Sequence, residues 1–219
     1  MQLRRTWILL GAGVLLVAGT EAAAQQRTTG SGIRVTKEVG VTPGATEVEV
    51  VAGGDVSMLT PFSLAAYANL TEANMTALMA AGDSLEIQLG QLAQSKGTAQ
   101  SVRDFGAMLV TDHSAHLTKT MEIVVDEDVG STPPMNDPEG LRLRQILTQL
   151  RNMSAGSNWD ATFLRFQAQH HQNVIDILNA NVKNAHDDDM EDHIEKTLSS
   201  LAKHRDHARS VGSGLGLTL

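Results

Sequence analysis

From Thr71 onward the apolar positions recur every three to four residues, the period of a helix with one buried face. Met75, Leu78, Gly82, Leu85, Leu89 and Leu92 mark the inward stripe of a first helix, with Thr71 as its cap and Gly97 as its end. Thr98 is the expected cap of a second helix carrying Val102, Phe105, Leu109, His113, Thr120 and Val124 inward, stopped after Val129 by Gly130-Ser131-Thr132-Pro133-Pro134. Asp137-Pro138 reads as an N-cap followed by proline at the first helical position, opening a short third helix with Leu143, Ile146, Leu147, Leu150 and Met153 on its inner side. A longer helix starts near Asn158 and turns Trp159, Phe163, Phe166, Val174, Ile177 and Leu178 inward. Asp187-Asp188-Asp189 suits the positive end of a last helix dipole, and Ile194, Leu198, Leu201, Ala208 and Val211 form that helix's stripe. The pattern predicts an all-α four-helix bundle over residues 62–212, with one short extra helix in the central connection and a flexible tail at 213–219.

Upstream the pattern is different. Arg4 and Arg5 precede an uncharged, mostly apolar run from Trp7 to Gly19, and Ala22-Ala23-Ala24 supplies a small-residue cleavage pattern. The run is too short for a bilayer core of about 30 Å, so residues 1–24 read as a signal peptide cut near Ala24 rather than as a retained anchor. The expected location is the periplasm or cell envelope, by the general secretory or the twin-arginine route. Residues 25–61, rich in Thr, Gly and Val, read as a linker with two short strand-like stretches at 33–38 and 46–51.

Composition narrows the chemistry. The 219 residues include no cysteine, so disulfides, thiolate zinc sites, iron–sulfur clusters and cysteine nucleophiles are excluded, and any metal must be held by His, Asp or Glu. A net charge of −8 argues against nucleic acid as a partner. Later in the chain no apolar stretch is long enough to span a membrane. At 3% aromatic, the chain favours helices over a sandwich of strands. The eight histidines are what composition leaves unexplained.

Their helical register supplies a reading. Glu86, seven residues from both Met79 and Ala93, rides beside the first stripe. His113 lies in the second, between Leu109 and Leu117. His171 is seven residues from both Leu164 and Leu178, and His204 continues the series from Thr197 and Leu201. Each long helix thus brings one ionisable group to its inner side, and a buried carboxylate needs a partner or a metal. His170, adjacent to His171, points about 100° away, so only one of the two is expected to face the axis. His113/His116 and His204/His207 also have the i, i+3 spacing that can chelate. His186 and His193, among Asp187, Asp188, Asp189, Glu191 and Asp192, read as part of a solvated acidic face.

The stretch Ala81 to Gln94, with Val102-Arg103-Asp104-Phe105, Asp112-His113-Ser114, Trp159-Asp160 leading to His171 and Thr197-Leu198 leading to His204, resembles the domain of unknown function 4142 family. The resemblance covers about residues 70–211 and implies an exported bacterial protein of ferritin-like four-helix architecture. It matches the family's polar positions at Glu86, Asp112, His113, His171 and His204; Trp159 stands where Phe is frequent, and Ser199 where Pro is frequent. A di-iron carboxylate centre would need Glu-x-x-His on two helices. No histidine here has glutamate three residues before it, so that centre is not expected. One Glu with three His would suit a single Zn²⁺, Cu²⁺, Ni²⁺ or Fe²⁺ ion. The alternative is an interaction domain of the envelope in which the same four side chains form a buried hydrogen-bond network. In that reading Met58, Met75, Met79, Met108, Met121 and Met153 could supply an adaptable apolar groove. An enzyme using His and Glu as base and acid is a third reading, unaccompanied by any nucleophile, phosphate or dinucleotide motif. A protein partner or a homo-oligomer is left open.

Overall fold

The computed structural model describes residues 59–219, which form five α-helices: α1 (Glu72–Lys96), α2 (Gln100–Asp126), α3 (Pro138–Asn152), α4 (Ser157–Asn181) and α5 (Asp188–Gly214). The leader, the linker and its strand-like stretches lie outside the described residues, except that Leu59 and Thr60 already belong to the bundle. Leu59 is buried, and the Thr60 carbonyl accepts a hydrogen bond from Arg142 at 2.8 Å.

Local chemistry sets the helix ends. Thr71 caps α1 in a reciprocal box with Asn74, each side chain accepting from the other's backbone N–H. Asp137 caps α3 and Pro138 occupies its first turn, while Asp187 caps α5. The cap of α2 differs from expectation. Its N-cap is Ala99, and the Thr98 hydroxyl donates to Asp160 of α4 instead of closing its own helix. The buried Asp160 carboxylate also accepts the N–H groups of Thr98 and Ala99, both at 2.9 Å, so α4 supplies the anion at the start of α2. In a similar exchange, Lys96 at the end of α1 donates to the carbonyls of Leu150 and Met153 at the end of α3.

The three-residue link from α1 to α2 makes an antiparallel hairpin, and α4 and α5 form another. α2 packs on α5, and α3, within the long central connection, packs on both α1 and α4. The first hairpin is held very close at Gly90 and Gly106. A Cβ at Gly106 would stand 2.7 Å from the Gly90 carbonyl and 2.7 Å from the Ala93 methyl. One end of the core is built on Phe105, Trp159, Phe163 and Phe166, and the other on Tyr67, Met75, Ile123, Met190 and Ile194. Between these apolar clusters the inner faces become polar. α4 is buried on nearly every side, so both His170 and His171 are enclosed, His171 beside the imidazoles of α2 and α5 and His170 turned toward Glu139 of α3. Of residues 213–219, expected as a flexible tail, 213 and 214 end α5 and the rest turn back on it: the Leu217 N–H reaches the Gly212 carbonyl at 2.9 Å, and its side chain leans on the core. No described helix is long and apolar enough to cross a membrane.

Candidate metal centre

Three imidazoles from three helices meet in the polar middle of the bundle. His113 of α2, His171 of α4 and His204 of α5 are only 2%, 0% and 1% exposed. One ligand nitrogen from each lies within 4.8 Å of the other two. Their ring centroids are 5.8 Å (113–171), 5.1 Å (113–204) and 5.2 Å (171–204) apart.

Each ring is anchored through one nitrogen and unpartnered at the other. His113 Nδ1 is 2.7 Å from Asp83 Oδ1, His171 Nδ1 is 2.8 Å from the Gln167 carbonyl, and His204 Nε2 is 2.8 Å from Asp112 Oδ2. A carbonyl can only accept, so His171 carries its proton on Nδ1 and presents a lone pair at Nε2. Where the Asp83 and Asp112 oxygens accept from the rings, the lone pairs are left on His113 Nε2 and His204 Nδ1. Those three nitrogens are buried and have no hydrogen-bond partner. Unsatisfied buried nitrogens cost free energy, and three imidazoles grouped with a ring nitrogen of each within 4.8 Å of the others make an arrangement complementary to a cation. Ligating histidines are ordinarily held in this way by a carboxylate or a carbonyl on the far nitrogen.

The charge state agrees. Burial holds His113 below its ordinary pKa, and burial with three neighbouring imidazoles holds His171 well below it. His204 is pushed down to about 4, also by burial, although its bond to Asp112 opposes the shift. At neutral pH all three are uncharged and do not compete with a metal for a proton.

Glu86, the fourth residue singled out in the sequence, is 1% exposed but belongs to the adjoining network. Its Oε2 accepts from Gln167 at 2.8 Å and its Oε1 is 3.4 Å from His170 Nε2. His170 Nδ1 in turn meets Glu139 Oε1 at 2.7 Å, and Glu139 also takes Arg142 at 3.2 Å and Asn173 at 3.1 Å. Burial alone would lower the His170 pKa, but its bond to Glu139 and the charges of Glu86 and Glu139 raise it instead. Two carboxylates thus face one guanidinium and one imidazolium, a balanced set that ties α1, α3 and α4 together. A cavity of about 70 Å³ lies beside it, lined by Asp83, Glu86, His113, His170 and Thr197 and by apolar side chains such as Leu78. That is room for a water or another very small molecule.

Several functional groups were missed by the sequence reading. Asp83 precedes Glu86 by three residues on the same face, yet it draws no notice until its 2.7 Å bond to His113 is seen. His193, expected on a solvated acidic face, is 4% exposed and its Nε2 is 2.8 Å from Thr120 Oγ1. Its acidic neighbours hid a usable signal, since it precedes His204 by eleven residues, three helical turns. His186 and His207 are exposed, so His204/His207 is not a chelating pair; His207 stacks on Phe105 at 5.2 Å. The methionines form no continuous groove among the described residues, because Met75 and Met79 are core while Met121 is exposed on the outside of α2.

No curated protein and no solved structure matches the chain. A family model does: that of the domain of unknown function DUF4142, over residues 59–211, which takes in all three imidazoles and both carboxylates that orient them. The chain belongs to the DUF4142 family.

Proposed function

We propose that this is an exported, envelope-located protein whose ferritin-like bundle binds one transition-metal ion through His113, His171 and His204. The observation that carries the reading is the convergence of three buried, neutral imidazoles, each with one nitrogen anchored and the other unpartnered. Three nitrogen donors suit Zn²⁺, Cu²⁺, Ni²⁺ or Fe²⁺. With Zn–N bonds of about 2.0–2.1 Å, tetrahedral ligands stand about 3.3 Å apart, so nitrogens already within 4.8 Å of one another need only small ring rotations. Glu86 stays in the adjoining network, its Oε1 3.4 Å from His170 Nε2, and is not one of the grouped donors, so the fourth position is left to a small exogenous ligand. Export rests on the basic pair, apolar run and alanine triplet of residues 1–24, and the ferritin-like comparison on two helical hairpins joined by one long connection.

Co²⁺ reports the geometry directly. Added to the metal-free protein, it is expected to give the intense visible bands of a low-coordinate, imidazole-bound ion, and His171→Gln should abolish them while the helical circular dichroism is retained. Only the weak spectrum of the hydrated ion would refute the reading and favour the alternative, a metal-free interaction domain with a buried hydrogen-bond network.

A further inference from the structure

The three-histidine centre is sealed from solvent, so an ion must reach it through something. Next to it stands a second donor set, Asp83, His113 and His116, whose ligand atoms also lie within 4.8 Å of one another. His113 is common to both sets. Asp83 is 6% exposed; its Oδ1 is engaged by His113, but its Oδ2 has no hydrogen-bond partner. His116, one turn after His113 on α2, has an unpartnered Nδ1 and is only half-buried, with its ring 5.8 Å from that of His113. Asp83 and His116 thus each keep a polar atom with no hydrogen-bond partner, in a group whose ligand atoms lie within 4.8 Å of one another. A buried carboxylate oxygen with no partner is expensive to maintain, and a divalent cation satisfies it.

We propose that Asp83 and His116 form an outer loading site that captures a divalent transition-metal ion from solvent and passes it, across the His113 ring, to the sealed inner centre. This rests on the inner centre being a metal site. Each set has its own feature suited to its task. The outer one has a carboxylate oxygen without a partner for capture and a partly exposed ring for access, whereas the inner one has three imidazoles that are each at most 2% exposed. The two share His113 and are filled in turn, so one ion per chain is held at equilibrium. Removing His116 should therefore change how fast the ion enters and leaves, and not how well it is held.

The test is stopped-flow mixing of the metal-free full-length protein with Co²⁺, following the visible bands, for the native chain, His116→Ala and His116→Gln. Both variants are expected to reach the native end-point spectrum and stoichiometry at least tenfold more slowly, and to release Co²⁺ to excess chelator more slowly by a similar factor. Native rates in both folded variants would overturn the loading site and leave the inner centre standing. Loss of the end-point bands in either folded variant would also overturn it, because His116 would then be a resident ligand. If the native chain itself gives no bands, the inner centre fails and the loading site with it.

Discussion

At the scale of single residues, the centre depends as much on the groups behind the imidazoles as on the imidazoles themselves. Asp83 and Asp112 fix which nitrogen of His113 and His204 carries the proton, at 2.7 Å and 2.8 Å. Asp83→Asn and Asp112→Asn are each expected to weaken Zn²⁺ binding roughly 10- to 100-fold, read by competition with a chromophoric chelator. Unchanged affinity in both would show that the rings are oriented by packing alone. Asp112 is 39% exposed at its side chain, so its substitution should barely alter stability and is the cleaner of the two. The inward placement of the three imidazoles is legible in the sequence because each falls on an apolar stripe of clear period. Asp83 was not legible: helical register places a carboxylate on a face but does not say which ring across the bundle it will meet. His170 is left without a role for a similar reason, since adjacency to His171 turns it about 100° from the axis and only the enclosed position of α4 shows that both are buried.

At the scale of elements, punctuation and periodicity located all five helices, and their errors have physical causes. The predicted stripe of α1 ran through Leu78, Leu85 and Leu92, which are partly buried, whereas the deepest positions include Asp83, Glu86, Gly90 and Ala93. Polar and small residues score as solvent-facing, yet here they line the centre and allow close contact with α2. Two glycines separate these effects. Gly106→Ala should destabilise the fold by about 1–3 kcal/mol, because the new methyl meets a carbonyl and another methyl at 2.7 Å, outweighing a helix-propensity gain of up to about 1 kcal/mol. Gly82→Ala, with nothing within 4 Å, should gain about 0.5–1 kcal/mol. Chemical denaturation compares the two, and equal effects would contradict the close approach of α1 and α2. Asp160→Ala removes the anion that α4 lends to α2 and should cost about 2 kcal/mol by the same measurement, with a loss under about 0.5 kcal/mol contradicting that role.

At the scale of the whole molecule, a polar layer between two apolar clusters makes stability depend on protons and on metal. Burial holds His113, His116, His171, His193 and His204 below 6.5, the last two at about 4. The unfolded chain therefore binds more protons than the folded one between pH 4 and 6.5, so this contribution is complete above pH 6.5 and is lost as pH falls through that window. Asp83, raised to about 7 by burial, and His170, raised by Glu139 and Glu86, act oppositely: they favour the fold at low pH and lose that contribution as pH rises. Five depressed histidines outnumber these two groups. The melting temperature of the metal-free protein is expected to fall between pH 6.5 and 4, and a flat or rising profile would contradict neutral imidazoles in the core. Bound metal should raise the melting temperature, by about 2.7 kcal/mol of stabilisation at a free concentration one hundred times Kd. The central claim is that the three converging nitrogens hold one ion, and it is tested most directly by calorimetric titration of the metal-free full-length protein with Zn²⁺ at pH 7.5. The expected result is saturable binding of one ion per chain, absent in the His113→Ala/His171→Ala/His204→Ala variant; binding no stronger than that of the variant would contradict it.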